Sequence, residues 1–262
     1  MGHAATIVGT SGSDQLVGTP GVDVIVARKG NDRVAGLGGR DIICLGRGSD
    51  LADGDGGNDR MRGARGSDRL FGGRGDDRVR GAKGRDRLFG GIGDDHLSAG
   101  SNKRNVFESL HGGPGNDTLN GGAGVDVFYP GGGDDIVLGG PGSSDYVAYF
   151  KAPRAIVADL RSHVVTGWGT DTLSSVSGLG GSRFDDTIIG NRFANGIGGL
   201  DGNDTIRGGG GVDGIFGGNG DDLLSGNHGD DFIVGGAGTD TIRGGAGTDR
   251  CQSGEDVQGC EN

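Results

Sequence analysis

Aspartate recurs in an unbroken nine-residue phase at Asp14, Asp23, Asp32, Asp41, Asp50, Asp59, Asp68, Asp77, Asp86 and Asp95. The phase returns at Asp117, Asp126 and Asp135, slips by one at Asp145, and resumes at Asp186, Asn195, Asp204, Asp213, Asp222, Asp231, Asp240 and Asp249. Two residues after nearly every one of them stands an apolar side chain, such as Leu16, Ile25, Leu70, Leu88, Ile206 or Leu224. Glycines stand two, four and five residues before it, as in Gly217-Gly218-Asn219-Gly220-Asp221-Asp222-Leu223-Leu224-Ser225. Self-similarity at a fixed short period is the mark of a stacked repeat, and it decides the fold before composition is considered.

The nine-residue unit has a direct physical reading. Its glycines accept φ > 0 and close backbone approach, so its first six residues are expected to turn. Its last three form a short strand, in which the central apolar residue points one way and its neighbours the other, giving one inward residue per nine. Two units close an 18-residue coil, and coils stack at about 4.8 Å. The expected fold is all-β, a right-handed parallel β-roll or β-helix solenoid of 18-residue coils. Of the 262 residues, 65 are Gly and 58 are Leu, Ile, Val or Phe, too few for a thick core and consistent only with a thin one between two facing sheets.

Stacking sets each motif Asp beside the Asp eighteen residues on, so like charges meet in columns. Bridging dications relieve that repulsion. Ca²⁺ accepts six to eight oxygen ligands in flexible geometry, from carboxylates and from turn carbonyls, whereas Mg²⁺ demands near-ideal octahedra and Zn²⁺ prefers His or thiolate. Candidate metal ligands are therefore the phased residues named above, Asp14 through Asp249 with Asn195 among them, and same-phase pairs allow at most about fourteen to sixteen ions.

The unit resembles the RTX (repeats in toxin) calcium-binding nonapeptide, Gly-Gly-x-Gly-x-Asp-x-U-x, over roughly three quarters of the chain. The resemblance implies a parallel β-roll with Ca²⁺ between adjacent turns, held by the sixth-position Asp of both turns and by turn carbonyls. The match is strongest at Asp59, Asp68, Asp77, Asp86, Asp95, Asp117, Asp126, Asp204, Asp213, Asp222, Asp231, Asp240 and Asp249. Ala27-Arg28-Lys29 before Asp32, Leu45 before Asp50, and the neutral amide of Asn195 predict weaker sites or none. The resemblance further implies a secreted, extracellular chain that folds in calcium after export.

The organisation expected is an array over 1–98, a loop insertion at 99–111, a short block at 112–145, metal-free coils or a spacer over 146–180, a second array over 181–250 and a cap at 251–262. In the spacer, Gly167 to Leu173 reads as a connecting turn. Cys251 and Cys260 have a spacing that fits a disulfide fastening the cap, with two free thiols as the alternative, and Cys44 has no evident partner. No charged and apolar leader opens the chain, as in a mature exported form.

The formal charge of −11 argues against a nucleic-acid partner, and no apolar run is long enough to span a membrane. The charge is uneven: residues 1–98 carry 15 Lys and Arg against 14 Asp and Glu, and the rest 10 against 22. Arg60, Arg69, Arg78 and Arg87 directly follow motif aspartates, and Arg62 and Arg80 hold the other outward strand position. They either compensate nearby aspartates or offer a polyanion contact for an anionic polysaccharide or cell-surface polymer. No enzyme is expected: the paired aspartates recur where an active site would be singular, and no H-E-x-x-H, G-x-S-x-G or G-K-[ST] motif occurs. The alternative function is a noncatalytic C-terminal module of a larger secreted hydrolase or adhesin.

Overall fold

A computed structural model describes residues 5–101, 107–141, 144–254 and 256–261. Those residues contain strands and no helix, and so no helix long and apolar enough to cross a membrane. The chain divides into two units, 1–143 and 144–262, each a parallel β-solenoid built from two sheets.

In the first unit successive strands alternate between the sheets. One holds Val24–Lys29, Ile42–Arg47, Arg60–Arg65, Arg78–Lys83, His96–Ser101 and Thr118–Ala123, and the other Arg33–Ala35, Leu51–Asp53, Arg69–Arg74, Arg87–Ile92, Phe107–Pro114 and Val125–Gly132. The register is eighteen residues, as in Met61 opposite Val79 and Leu70 opposite Leu88, so identical motif positions stack in columns. The inward column of Ile25, Ile43, Met61, Val79 and Leu97 is buried.

The second unit repeats this plan from Thr187–Ile189 to Thr241–Ala246 in one sheet and from Gly196–Asp201 to Arg250–Gln252 in the other. It departs from the plan earlier, where Val157–Asp159, Val164–Thr166 and Thr170–Ser174 pair antiparallel. The expected continuation of the coil is therefore replaced here by a meander, and Gly167 and Gly169, both at positive φ, turn a hairpin rather than joining two coils. Residues 170–173, expected within the connecting turn, belong to its third strand, Thr170–Ser174. The insertion expected at 99–111 is narrower, since strands run to Ser101 and restart at Phe107; its polar segment around Asn102 lies outside the described residues.

The regular strands are also longer than expected. Arg60–Arg65 covers motif positions seven to nine and one to three, so only three residues remain for the turn. Two residues per unit face inward, the aliphatic Met61 and the buried Gly63. The reason the second is glycine lies in the site.

Candidate metal centre

Each regular turn places its aspartate in the same hydrogen-bonded frame. The backbone N–H of Asp59 donates to Oδ1 of Asp77 at 2.7 Å, and that of Asp77 to Oδ1 of Asp95 at 2.8 Å. The chain of bonds runs from Asp23 through Asp41, Asp59, Asp77, Asp95 and Asp117 to Asp135 on one side of the first unit, and from Asp14 through Asp32, Asp50 and Asp68 to Asp86 on the other. In the second unit it links Asp186, Asp204, Asp222 and Asp240, and separately Asn195, Asp213, Asp231 and Asp249. Backbone carbonyls of these aspartates are occupied as well, that of Asp59 by the N–H of Arg78 and that of Asp77 by the N–H of His96, both at 2.8 Å.

One oxygen is left over. The Oδ2 atoms of Asp59, Asp68, Asp77, Asp86, Asp95, Asp117, Asp204, Asp213, Asp222, Asp231 and Asp249 are buried and have no hydrogen-bond partner, as are those of Asp32, Asp41 and Asp50. Except at Asp32 and Asp50, each lies against the glycine five residues before it: a Cβ built on Gly63 would collide with Asp68 Oδ2 and stand 3.0 Å from the carbonyl oxygen of Gly81 in the next coil. That is why the second inward position is glycine. The space a side chain would fill is a small cradle bounded by a carboxylate oxygen and a backbone carbonyl.

An unpartnered buried carboxylate oxygen is costly when charged. Burial, reinforced by neighbouring carboxylates in the column, raises Asp68 and Asp77 to about 7 and Asp95 to about 8 from 3.8, against the lowering effect of the N–H each accepts. Asp204 rises to about 7 for the same reasons, Asp59, Asp117, Asp213 and Asp222 to about 6, and Asp86 to about 6 by burial alone. A hard cation in the cradle would supply the missing partner. The donors are all oxygen, and among the described residues no three His, Cys, Asp or Glu side chains converge, so a site here is completed by carbonyls.

Four motif residues differ. Oδ2 of Asp14 accepts the N–H of Thr10 at 2.6 Å, Oδ2 of Asp23 that of Thr19 at 2.6 Å, and Oδ2 of Asp186 that of Ser182 at 2.5 Å. Oδ1 of Asn195 accepts that of Asn191 at 2.8 Å. In each turn a Thr, Ser or Asn stands where the regular unit has its second residue at positive φ, such as Gly73 or Gly218. Asp23 is held below the ordinary carboxylate range, chiefly by the backbone N–H and hydroxyl of Thr19. These four, expected from phase to be ligands, have no orphaned oxygen. At Asp32 and Asp50 the inward position is filled by buried Ala27 and Leu45 instead of glycine.

Glu108 is the member the spacing missed. It aligns with Asp126 across the register and is buried, because the insertion moves the phase from Asp86 by 22 residues, as Leu88 opposite Leu110 shows. The signal was present in Leu110 two residues on and in Gly112-Gly113. Asp126 is fully buried beside it, Asp135 and Asp240 accept through Oδ1 from the preceding aspartate, and the carbonyl of Asp145 accepts the N–H of Gly178. Asp171, in the meander, is buried and accepts the Tyr149 hydroxyl at 2.6 Å.

The first members of the paired aspartates do not face the cradles. Asp76 and Asp94 form an outer ladder in which Oδ1 of Asp76 accepts the N–H of Asp94 at 3.1 Å and Oδ1 of Asp94 that of Asn116 at 2.7 Å. The arginines are exposed, Arg60, Arg62, Arg78 and Arg80 on one sheet and Arg69 and Arg87 on the other, and among the described residues the ion pair is Arg161 with Asp159. They do not compensate the motif aspartates by ion pairing. Cys251 and Cys260 are in bonding contact with Cα atoms 5.8 Å apart, and Cys44 is exposed.

No curated protein matches the chain. A family model described as the RTX calcium-binding nonapeptide repeat matches residues 8–43, 45–70, 71–102, 107–143, 180–215, 197–224 and 216–251, passing over the antiparallel meander. With the phase, the coil register and the orphaned oxygens in agreement over most of its length, the chain belongs to the RTX calcium-binding nonapeptide repeat family.

Proposed function

We propose that this chain is a secreted, non-enzymatic module that folds when its turns take up several Ca²⁺ ions after export. The supporting observation is the column of buried Oδ2 atoms without partners, most of them beside a glycine cradle bounded by a backbone carbonyl. Folding brings these carboxylates out of water and into line, which is unfavourable for the bare chain. Ion uptake removes both penalties, so its binding free energy becomes folding free energy. Asp59, Asp68, Asp77, Asp86, Asp95, Asp117, Asp204, Asp213 and Asp222 are the primary ligands, while Asp14, Asp23, Asp186 and Asn195 act as capped turns.

The low-calcium interior of a cell would leave such a chain unfolded and suited to passage across a membrane. An oxidising exterior suits the pairing of Cys251 with Cys260. Equilibrium dialysis against millimolar calcium, with circular dichroism before and after EGTA, tests the reading. Uptake of several ions per chain and loss of β signal on chelation are expected; a β signal indifferent to EGTA would refute it.

A further inference from the structure

The outer surface of one sheet of the first unit is cationic without counter-charge. Register places Arg60 beside Arg78, Arg62 beside Arg80 and Arg65 beside Lys83, three columns across two neighbouring strands. Arg47 continues the third column, opposite Lys29 on one side and Arg65 on the other. The strands Val24–Lys29, Ile42–Arg47, Arg60–Arg65, Arg78–Lys83 and His96–Ser101 contain no Asp or Glu at all. All these cations are exposed, and none makes an ion pair among the described residues.

Like charges directly opposite on adjacent strands are destabilising, and a solubilising surface would be served as well by mixed signs. Protection of a sheet edge does not account for them either, since Arg60–Arg65 and Arg78–Lys83 are interior strands. The corresponding strands of the second unit, Thr205–Gly210, Leu223–His228 and Thr241–Ala246, carry only Arg207 and Arg243, so the feature is local rather than a property of the repeat.

We propose that this face binds an extended acidic polysaccharide, with its carboxylate or sulfate groups lying along the arginine columns. Within a column the cations repeat at about 4.8 Å, the spacing of paired strands. Duplex DNA carries a phosphate per about 1.7 Å of axis and is read through grooves that a flat face does not enter. Single-stranded nucleic acid is held by aromatic platforms beside the cations, and these strands have no Phe, Tyr or Trp. The aromatic column of the first unit, Phe71, Phe89, His111 and Tyr129, lies on the other sheet beside Arg69 and Arg87, with its rings stacked on one another. Multivalent contact along the columns gives avidity to individually weak pairs.

The proposal rests on the exposed cations and not on which turns hold calcium. The test uses the full calcium-loaded chain and a heparin-derived decasaccharide, with neutral dextran and a 20-nucleotide single strand as comparators. The decasaccharide should bind with an affinity that falls steeply with salt. Replacing Arg60, Arg62, Arg78 and Arg80 by Gln should weaken it at least about tenfold and flatten the salt slope, while Arg69→Gln with Arg87→Gln on the other sheet leaves both unchanged. The fourfold variant should keep its calcium-loaded circular dichroism and melt no lower, since it loses stacked like charges. Should it not fold, the pair Arg62→Gln and Arg80→Gln is read in its place. Equal losses in both sets, tighter binding of the oligonucleotide, or no binding at low salt would overturn the proposal, and calcium uptake measured on the same samples would be untouched by that failure.

Discussion

Protons and calcium should compete for the same oxygens, and the competition can be measured. The folded chain without metal holds Asp68 and Asp77 at about 7 and Asp95 at about 8, against 3.8 for an unhindered carboxylate. A carboxylate raised on folding contributes stability that is complete below its unfolded value, near 4, and lost as pH climbs through its folded value, here between about 6 and 8. Each proton that the folded state holds in excess changes stability by about 1.4 kcal/mol per pH unit, a factor of ten in the folding equilibrium. Two such protons, a small fraction of the raised carboxylates, make it a hundredfold. In EGTA, β signal should therefore grow as pH is lowered from about 8.5 to 5.5. Calcium acts in the opposite sense, because its ligands must be deprotonated. Adding calcium in a pH-stat at pH 6.5 should release protons, and at pH 9 almost none. Absence of proton release at pH 6.5, or a metal-free β signal that increases with pH, would refute the account of the orphaned oxygens.

Three further perturbations separate the parts of the unit. Asp68→Asn should lower calcium stoichiometry by at least one ion, while Asp23→Asn leaves it unchanged, because Oδ2 of Asp23 already accepts the Thr19 N–H; dialysis with radioactive calcium reads both. Gly66→Ala puts a Cβ onto the carbonyl oxygen of Gly48 at a φ of +132°, and should cost more than about 3 kcal/mol, seen as a higher calcium midpoint for folding. Gly196→Ala, where a Cβ meets nothing within 4 Å, should be close to neutral by the same measurement. Leu70→Ala empties one layer of a thin core and should cost about 2–5 kcal/mol in calcium-saturated denaturant melts.

Periodicity made the coil, the inward aliphatic column and the aspartate columns legible, because one residue type at a fixed offset has one physical role repeated. What escaped it depended on space rather than order. The glycine at the first motif position reads as a turn residue, yet Gly63 sits inward on a strand because Asp68 Oδ2 occupies the room its side chain would need. Glu108 was lost because counting in nines fails across an insertion, whereas the pattern of Leu110 and Gly112-Gly113 around it survives. The meander over 157–174 was hidden for another reason: its alternating strands read alike whether they pair parallel or antiparallel, and only the hairpin at Gly167 and Gly169 distinguishes them.

The capped turns stand where a column begins, and this placement has a cause. An interior aspartate receives the N–H of the aspartate one coil before it on Oδ1, whereas the first phased residue of each column takes other donors there. In the first unit, Oδ1 of Asp14 accepts the hydroxyl of its own Thr10, and Oδ1 of Asp23 that of Thr6, each at 3.0 Å. In the second unit, Oδ1 of Asp186 accepts the Ser182 hydroxyl at 2.8 Å and the N–H of Ile156 at 2.7 Å. In each of these turns the N–H of the Thr or Ser in the second motif position donates to Oδ2 of its own aspartate, so that oxygen is not left without a partner. The first turns of each array are then the part of the column whose carboxylate oxygens have partners without metal, the edge on which, under the proposed function, the remaining coils add as calcium binds. Thr19→Gly removes the hydroxyl donor to Asp23 Oδ2 and frees the backbone of that turn, while keeping its N–H. Hydrogen exchange around 24–29 in this variant should become calcium-dependent, where in the parent chain it is slow whenever the following coil is formed; exchange there that ignores both the substitution and EGTA would show that the edge owes nothing to its cap.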